Sequence, residues 1–208
     1  VLADGSVVAC SAHERPDLFE AQRLSLGLLG VAVEIEFEVL PAYHLEERIE
    51  KKPLDEALER FPEWAAASRH VEFFVFPYAD QVLLKTLHPA EDDGRFKAPG
   101  PVDETVFRLA CELTAAAPGF APTLQKLMTR GSGGGRVQRR IGPAWRIFPS
   151  ERTVRFEEME YELPRDAAPA ALRAVIDWVR AGERPVAFPF EYRWTAGDDL
   201  WLSPFNRG

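Results

Sequence analysis

The segment VEFFVFPYADQVLLKTL, residues 71–87, decides the fold class. Two apolar runs rich in β-branched and aromatic residues stand on either side of Pro77 and Tyr78, a pattern that predicts two strands joined by a turn. The segment just before them, LDEALERFPEWAAAS (54–68), has helical composition, and we expect Pro62 to interrupt that helix. A helix next to a pair of strands indicates helices packed on an antiparallel sheet.

Two further segments alternate apolar and acidic residues with the period of a half-buried strand. The apolar side of GVAVEIEFEVLP (30–41) consists of Val31, Val33, Ile35, Phe37 and Val39. The apolar side of TVRFEEMEYELP (153–164) consists of Met159, Tyr161 and Leu163. At the start of the chain, VLADGSVVACS (1–11) predicts a β-hairpin that turns at Asp4–Gly5.

Three more segments have helical periodicity, namely residues 101–119, 121–130 and 166–182. Asp103 and Asp166 are placed as N-caps, and Gly182 as a C-terminal stop. The segment GSGGG (131–135) lacks the Lys-Ser/Thr ending of a phosphate-binding loop, so it predicts a surface loop. Strands and helices in this order predict an α+β fold, with one antiparallel sheet covered by helices.

The composition excludes several classes of function. A net charge of −8 and a pI near 5.1 argue against a nucleic-acid partner, which needs clustered Lys and Arg. The two cysteines are far apart and the four histidines are scattered, so we expect no metal site. No apolar run is long enough to span a bilayer, so we expect no transmembrane segment and a cytoplasmic protein, with peripheral membrane association left open.

An acid and a base stand two residues apart in FEYRWTAGDDLWLSP (190–204). In an extended strand Glu191 and Arg193 point to the same face, about 6.5–7 Å apart along the chain. The opposite face holds aromatic residues that can anchor the strand in a core: Phe188, Phe190, Tyr192 and Trp194. Such a pair is either an ordinary surface ion pair or part of a site that holds a polyhydroxylated substrate. The spacing leaves both readings open.

Several motifs resemble one family of flavoproteins. The segments VRFEEMEYELPRDAAPAALRAVIDWV (154–179) and EYRWTAGDDLWLSP (191–204) resemble the C-terminal domain of the sugar-lactone and alditol oxidases. This family has the vanillyl-alcohol oxidase fold and includes D-arabinono-1,4-lactone oxidase, L-gulonolactone oxidase and alditol oxidase. The N-terminal part (4–41) is similar to the end of the family's FAD-binding domain. The resemblance implies a remnant of that domain at residues 1–43 and an incomplete substrate-binding cap domain at residues 44–208.

The resemblance also implies roles for particular residues. Glu191 and Arg193 match a Glu-x-Arg pair that faces the flavin ring: the Arg polarises the substrate oxygen, the Glu orients the substrate hydroxyl, and Thr195 joins them in binding substrate. The implied reaction is oxidation of a CH–OH group of a sugar lactone or polyol, with FAD as cofactor, hydride transfer to the flavin and O2 as electron acceptor.

The cofactor contacts are expected in the turn SLGLLGV (25–31). By resemblance, Gly27, Gly30 and Val31 allow a close approach of the backbone to FAD, where a Cβ would interfere. A tight turn between a helix and a strand explains the same glycines equally well.

Two departures from the family pattern qualify the functional prediction. The sequence lacks the family's upstream pyrophosphate loop with its flavin-linking His, and it lacks the C-terminal His-Trp-Gly-Lys motif. We therefore expect this chain, which begins at Val1, to be a piece of a longer enzyme and inactive alone. The alternative is a truncated module of the same fold that binds ligands or partners without catalysis.

Overall fold

The computed structural model describes residues 1–91, 101–131, 137–149, 154–182 and 186–206. The chain divides into two compact units. The smaller one, here the small unit, consists of Val1–Pro41, Glu160–Pro164 and Thr195–Gly208; the larger, here the sheet unit, consists of Ala42–Met159 and Arg165–Trp194. No helix in these described ranges is both long and apolar enough to cross a membrane.

The sheet unit is built on five antiparallel strands in the order β4-β1-β3-β2-β5. The strands are β1 His44–Pro53, β2 His70–Val75, β3 Gln81–Ala90, β4 Gln138–Pro143 and β5 Phe190–Arg193. The helices are α1 Pro16–Arg23, α2 Leu54–Ala67, α3 Pro101–Ala116, α4 Ala121–Gly131, α5 Ala144–Ile147 and α6 Ala168–Ala181, with a 3₁₀ turn at Pro118–Phe120. The α+β prediction is confirmed.

The predicted strand pair forms the centre of the architecture. β2 and β3 pair antiparallel from Val75 opposite Val82 outward, and the turn between them is closed by a hydrogen bond from the Ala79 amide to the Phe76 carbonyl (2.9 Å). The sequence analysis did not identify β1, since HLEERIEKKP is rich in charge. Nevertheless β1 is a central strand, paired with β3 on one side and β4 on the other.

The main core lies on the face of the sheet covered by α2 and α6. Its buried members are Ala57, Leu58, Phe61, Phe73, Val75, Val82, Leu84, Ile176 and Tyr192. A smaller cluster of Leu45, Leu87, Ala144 and Ile147 packs α5 against the opposite face, at the β1 end. Because side chains alternate along a strand, the β2–β5 end of that opposite face carries Glu72, Glu191 and Arg193 beside Phe74.

Helix α2 runs without interruption from Leu54 to Ala67, so the expected break at Pro62 is wrong. Pro62 removes one backbone hydrogen bond, but the residue before it fixes the helix on the core. Phe61 is fully buried, and its ring contacts Phe73 (5.4 Å between centroids) and Tyr192 (5.0 Å) edge to face. Tertiary packing therefore outweighs the local preference.

The two alternating segments predicted as strands form none in the described part of the chain. In residues 31–40 the apolar side chains are between 62% and 80% exposed, and the intervening glutamates are exposed as well. Residues 154–164 likewise form neither helix nor strand, and Met159 and Tyr161 are exposed. Alternation sets which side chains share a face, but a strand also requires a neighbour for its backbone hydrogen bonds.

The remaining predictions of turns and helix ends agree with the structure only in part. The Asp4–Gly5 turn forms, with Gly5 at φ +83° and a hydrogen bond from the Leu2 amide to the Ser6 carbonyl (2.9 Å), but its flanks form no strands in the described structure. α3 begins at Pro101, so Asp103 lies inside the helix. α6 begins at Ala168 and has no side-chain N-cap, whereas Gly182 ends it as predicted. Of GSGGG, residues 132–135 lie outside the described residues.

Candidate active site

The predicted Glu191–Arg193 pair lies on one face of β5, an edge strand of the sheet unit. The Arg193 Nη1 donates a hydrogen bond to the Glu191 Oε1 at 3.0 Å. Pairing with β2 places Glu191 opposite Phe74 and Arg193 opposite Glu72. The pair therefore faces away from the α2–α6 core, and both side chains are partly open to solvent.

The other face of β5 anchors the strand. Tyr192 is buried, stacks on Phe73 with ring centroids 4.7 Å apart, and accepts a hydrogen bond from the Trp194 indole (3.2 Å). Phe188, just before the strand, stacks on Phe156 (4.6 Å). Since these contacts fix the backbone of β5, the direction of Glu191 and Arg193 is fixed too.

The pair is one end of a row of charges that crosses the whole sheet on the face opposite the main core. We call it the charged row; its members are Arg140 (β4), Glu47 (β1), Lys85 (β3), Glu72 (β2), Glu191 and Arg193 (β5). Registers place these residues on one face: Arg140 is opposite Glu47, Lys85 opposite Glu72, and Glu72 opposite Arg193. Cations and carboxylates alternate along the row except at Glu72 and Glu191, which are neighbours of like charge.

Close ion pairs connect the members of the charged row. Arg140 holds Glu47 through two hydrogen bonds, Nε to Oε1 at 2.5 Å and Nη2 to Oε2 at 2.9 Å. Lys85 places its Nζ 2.8 Å from the Glu72 Oε1 and 3.9 Å from the Glu47 Oε2. Glu47 is almost fully buried, and a buried carboxylate requires such partners.

The environment of Glu191 favours its protonated form. Burial raises the pKa of the Glu191 carboxyl group, and the negative charge of Glu72 raises it further. Arg193 and Lys85 act in the opposite direction without cancelling the increase. A carboxyl group with a raised pKa beside a specific charged partner is a common feature of proton-transfer sites.

The sequence analysis missed four members of the charged row: Arg140, Glu47, Glu72 and Lys85. Two of them lie on strands joined by a short turn: once Val75 is paired with Val82, Glu72 lies opposite Lys85. The Glu47–Arg140 contact depends on the pairing of strands far apart in sequence, which local patterns do not specify.

The residues predicted to approach FAD lie in the small unit, as does Thr195, whereas Glu191 and Arg193 belong to the sheet unit. Gly27 and Gly30 have positive φ angles of 75° and 122°. A Cβ on Gly30 would lie 2.2 Å from the Val1 carbonyl oxygen, and the Val31 amide donates to the same oxygen at 2.9 Å. Backbone geometry within the chain thus requires glycine at position 30, and the approach to FAD stays a prediction.

Comparison with known proteins identifies the family of the chain. The family model described as D-arabinono-1,4-lactone oxidase matches residues 35–208. An L-gulono-1,4-lactone dehydrogenase of Mycobacterium tuberculosis is 38% identical over 98% of this chain and 47% of its own length. An L-gulonolactone oxidase of Bos taurus is 24% identical over 97% of this chain, again 47% of its own length.

A third relative matches a shorter stretch: a D-arabinono-1,4-lactone oxidase of Yarrowia lipolytica is 31% identical over 84 residues, 40% of this chain and 16% of its own. The chain spans about half the length of the two relatives that match it nearly end to end. The resemblance inferred from the sequence motifs is confirmed. The chain belongs to the D-arabinono-1,4-lactone oxidase family.

Proposed function

We propose that the complete protein containing this chain is an FAD-dependent oxidoreductase that oxidises a CH–OH group of a sugar lactone or polyol. The observation that supports it best is the Glu191–Arg193 pair, held at 3.0 Å on an accessible sheet face in a member of a lactone oxidase family. The names of its relatives make a 1,4-lactone the first substrate to test.

The two side chains of the pair have complementary tasks in this proposal. Arg193 binds the substrate oxygen that becomes the carbonyl oxygen, since a guanidinium donates in a fixed plane and keeps its charge at any working pH. Glu191 accepts a hydrogen bond from the substrate hydroxyl and takes its proton. Thr195, two residues after Arg193, is proposed as a further hydroxyl contact. Tyr192 and Trp194 keep the strand in place from the core side.

The residues present suit a flavin. Arg193 lies at the exposed end of the charged row, and in this proposal its guanidinium favours negative charge on a reduced flavin ring. When bound, the flavin supplies the two-electron acceptor for the hydride of the substrate carbon. We propose that Gly27, Gly30 and Val31 provide backbone contacts to FAD.

We propose the same domain assignment as above: residues 1–43 complete the FAD-binding domain, and residues 44–208 belong to the cap domain. The division of the chain between Pro41 and Ala42 supports this boundary, whereas Glu160–Pro164 and Thr195–Gly208 group with the small unit rather than with the remainder of 44–208. On this assignment, the exposed apolar side chains of residues 31–40 are a surface for the rest of the flavin domain.

The electron acceptor is proposed to be O2. The relatives include both oxidases and a dehydrogenase, so the acceptor is tested separately from the substrate. The complete protein is purified, its visible absorbance is recorded, and it is assayed with L-gulono-1,4-lactone, D-arabinono-1,4-lactone and open-chain polyols. Hydrogen peroxide is measured in air, and reduction of an artificial dye is measured without O2.

We expect a yellow protein that oxidises at least one lactone and releases hydrogen peroxide. Turnover with the dye but without hydrogen peroxide would support lactone oxidation and would refute O2 as the electron acceptor. A colourless protein that oxidises none of these compounds would contradict the proposal and favour a non-catalytic binding module.

A further inference from the structure

Glu72 lies between two cations of the charged row. In the register of β2 with β3 it stands directly opposite Lys85, and in the register of β2 with β5 it stands directly opposite Arg193. Residues directly opposite each other on neighbouring antiparallel strands have Cβ atoms about 4.5–5.5 Å apart, so either cation can pair with the carboxylate. Glu72 therefore has two alternative ion-pair partners, and one of them is the proposed substrate-binding arginine.

In the structure the Glu72 carboxylate is held by Lys85. The Lys85 Nζ donates to the Glu72 Oε1 at 2.8 Å, and the two side chains are 20% and 22% exposed, so solvent screens their attraction only in part. Arg193 donates from its Nη1 to the Glu191 Oε1 at 3.0 Å. Two ion pairs thus lie side by side on this face, each with its own cation.

The position of the Lys85 ammonium group keeps the Glu72 carboxylate on one side of β2. Strands β3 and β5 flank β2 on opposite sides, so Lys85 attracts Glu72 away from the strand that carries Arg193. The same Nζ lies 3.9 Å from the Oε2 of Glu47, which is buried and accepts two hydrogen bonds from Arg140. This second carboxylate helps to fix the ammonium group in place.

We propose that Lys85 is a positioning residue for Arg193: by holding Glu72 on the β3 side, it prevents this carboxylate from pairing with the guanidinium that binds the substrate. The inference rests on the proposed function, in which Arg193 binds the substrate oxygen. A guanidinium that also paired with Glu72 would have fewer N–H donors for the substrate. The added negative charge would also oppose the charge that develops on the substrate oxygen.

Two variants of the complete protein test this competition. Lys85→Met removes the ammonium group and keeps an unbranched side chain, while the buried Glu47 retains its two hydrogen bonds from Arg140. The double variant, Lys85→Met with Glu72→Gln, also removes the carboxylate that would compete for Arg193. If Lys85 acts as proposed, the second substitution repairs the damage done by the first.

The matched control is Lys52→Met. Lys52 also pairs with a glutamate, since its Nζ lies 3.1 Å from the Oε2 of Glu50. It stands opposite the core residue Val82 in the register of β1 with β3, so it belongs to the other face of the sheet. This variant therefore removes a lysine–glutamate pair from the same sheet without altering the charged row.

The position of Glu72 is measured first, in crystal structures of the complete protein and its variants, because this readout does not depend on activity. In Lys85→Met we expect the Glu72 carboxylate to lie at hydrogen-bond distance from the Arg193 guanidinium. In Lys52→Met we expect Glu72 to stay on Lys85. A Glu72 carboxylate that remains apart from Arg193 in Lys85→Met would overturn the inference.

The rate of flavin reduction is measured next, after anaerobic mixing with the lactone that the unaltered protein oxidises best. We expect Lys85→Met to slow this rate by roughly tenfold, which is the scale of coupling between contacting charged groups. The double variant should return to within about twofold of the unaltered rate, and Lys52→Met should match it to the same precision. A merely structural role for Lys85 predicts no repair, so a double variant as slow as Lys85→Met would contradict the proposal.

The pH dependence separates this effect from a change in the titration of Glu191. Lys85 lowers the pKa of the Glu191 carboxyl group, so its loss could also slow the reaction by leaving Glu191 protonated. Well above that titration Glu191 is ionised in every variant, whereas Glu72 keeps its charge and still competes for Arg193. We expect Lys85→Met to remain slow there, and full recovery would refute the inference. If Glu72 moves to Arg193 as expected but the unaltered protein oxidises no lactone, the exchange of ion-pair partners is retained and the proposed function fails.

Discussion

Glu46 is a buried carboxylate held by two arginines on the helix-covered face of the sheet. Arg48 donates its Nε at 2.6 Å, and Arg139 donates to the same oxygen from β4. These hydrogen bonds, first that of Arg48 and then that of Arg139, lower the Glu46 pKa to about 2. Local sequence patterns do not indicate this cluster, because HLEERIEKKP has the composition of a solvated segment and Arg139 becomes a neighbour only through the β1–β4 register.

Glu46 should make the stability of the protein depend on pH below pH 4.5. Since its folded pKa lies below the ordinary value of 4.5, its contribution is present above that pH and is lost as the pH falls toward about 2. This lowering of the Glu46 pKa corresponds to roughly 3 kcal/mol of folding stability. Because solvent screens the half-exposed arginines, we expect a contribution of about 1–2 kcal/mol.

We therefore expect Glu46→Gln to lower the free energy of unfolding by about 1–2 kcal/mol at pH 7 and by progressively less between pH 4.5 and 2. Urea denaturation at a series of pH values measures this. Glu59→Gln, which removes an exposed carboxylate from α2, serves as the control. An equal loss at pH 7 and pH 3 would show that the ion pairs of Glu46 do not stabilise the fold.

At the scale of single elements, neighbouring substitutions in α2 can distinguish the helix-breaking tendency of Pro62 from the tertiary packing of Phe61. Phe61→Ala should lower the free energy of unfolding by about 3–5 kcal/mol, because it empties a fully buried site between Phe73, Tyr192 and Trp194.

The adjacent Pro62→Ala should stabilise the protein by about 1–2 kcal/mol, because it restores a helix hydrogen bond at an exposed position. Thermal and denaturant unfolding of the two variants measures both effects. Destabilisation by Pro62→Ala would mean that the proline is needed for the helix geometry.

The elements that the sequence predicts well are those whose partner lies close by in the chain. β2 and β3 are joined by a short turn and follow from their composition alone. Residues 31–40 have an equally regular pattern, but no strand pairs with them in the described part of the chain. The alternation of apolar residues and glutamate does not indicate which segment could pair with them. β1 shows the opposite case: a charged segment becomes central because its neighbours β3 and β4 supply compensating lysine and arginine side chains.

At the scale of the sheet unit, each face of the sheet has a dominant feature. One face buries the main apolar core beneath α2 and α6, and the other presents, beside the small α5 cluster, the charged row that ends at Glu191 and Arg193. The alternation in FEYR was sufficient to predict that these two residues share a face. It was not sufficient to predict the positions of Glu72 and Lys85, which depend on the pairing of neighbouring strands. Glu72 raises the pKa of the Glu191 carboxyl group and Lys85 lowers it.

The central claim is that Arg193 acts on the substrate rather than serving as a surface ion-pair partner of Glu191. It is tested by the rate of flavin reduction after anaerobic mixing of the complete protein with the lactone that it oxidises best. We expect Arg193→Ala to slow this rate by about 10²–10³-fold, or roughly 2–4 kcal/mol of transition-state stabilisation. Arg193→Lys, which keeps the charge without the planar donor pair, should lie in between. Tyr192→Phe, on the core face of the same strand, should leave the rate nearly unchanged. Flavin reduction by Arg193→Ala at the unaltered rate would contradict the account.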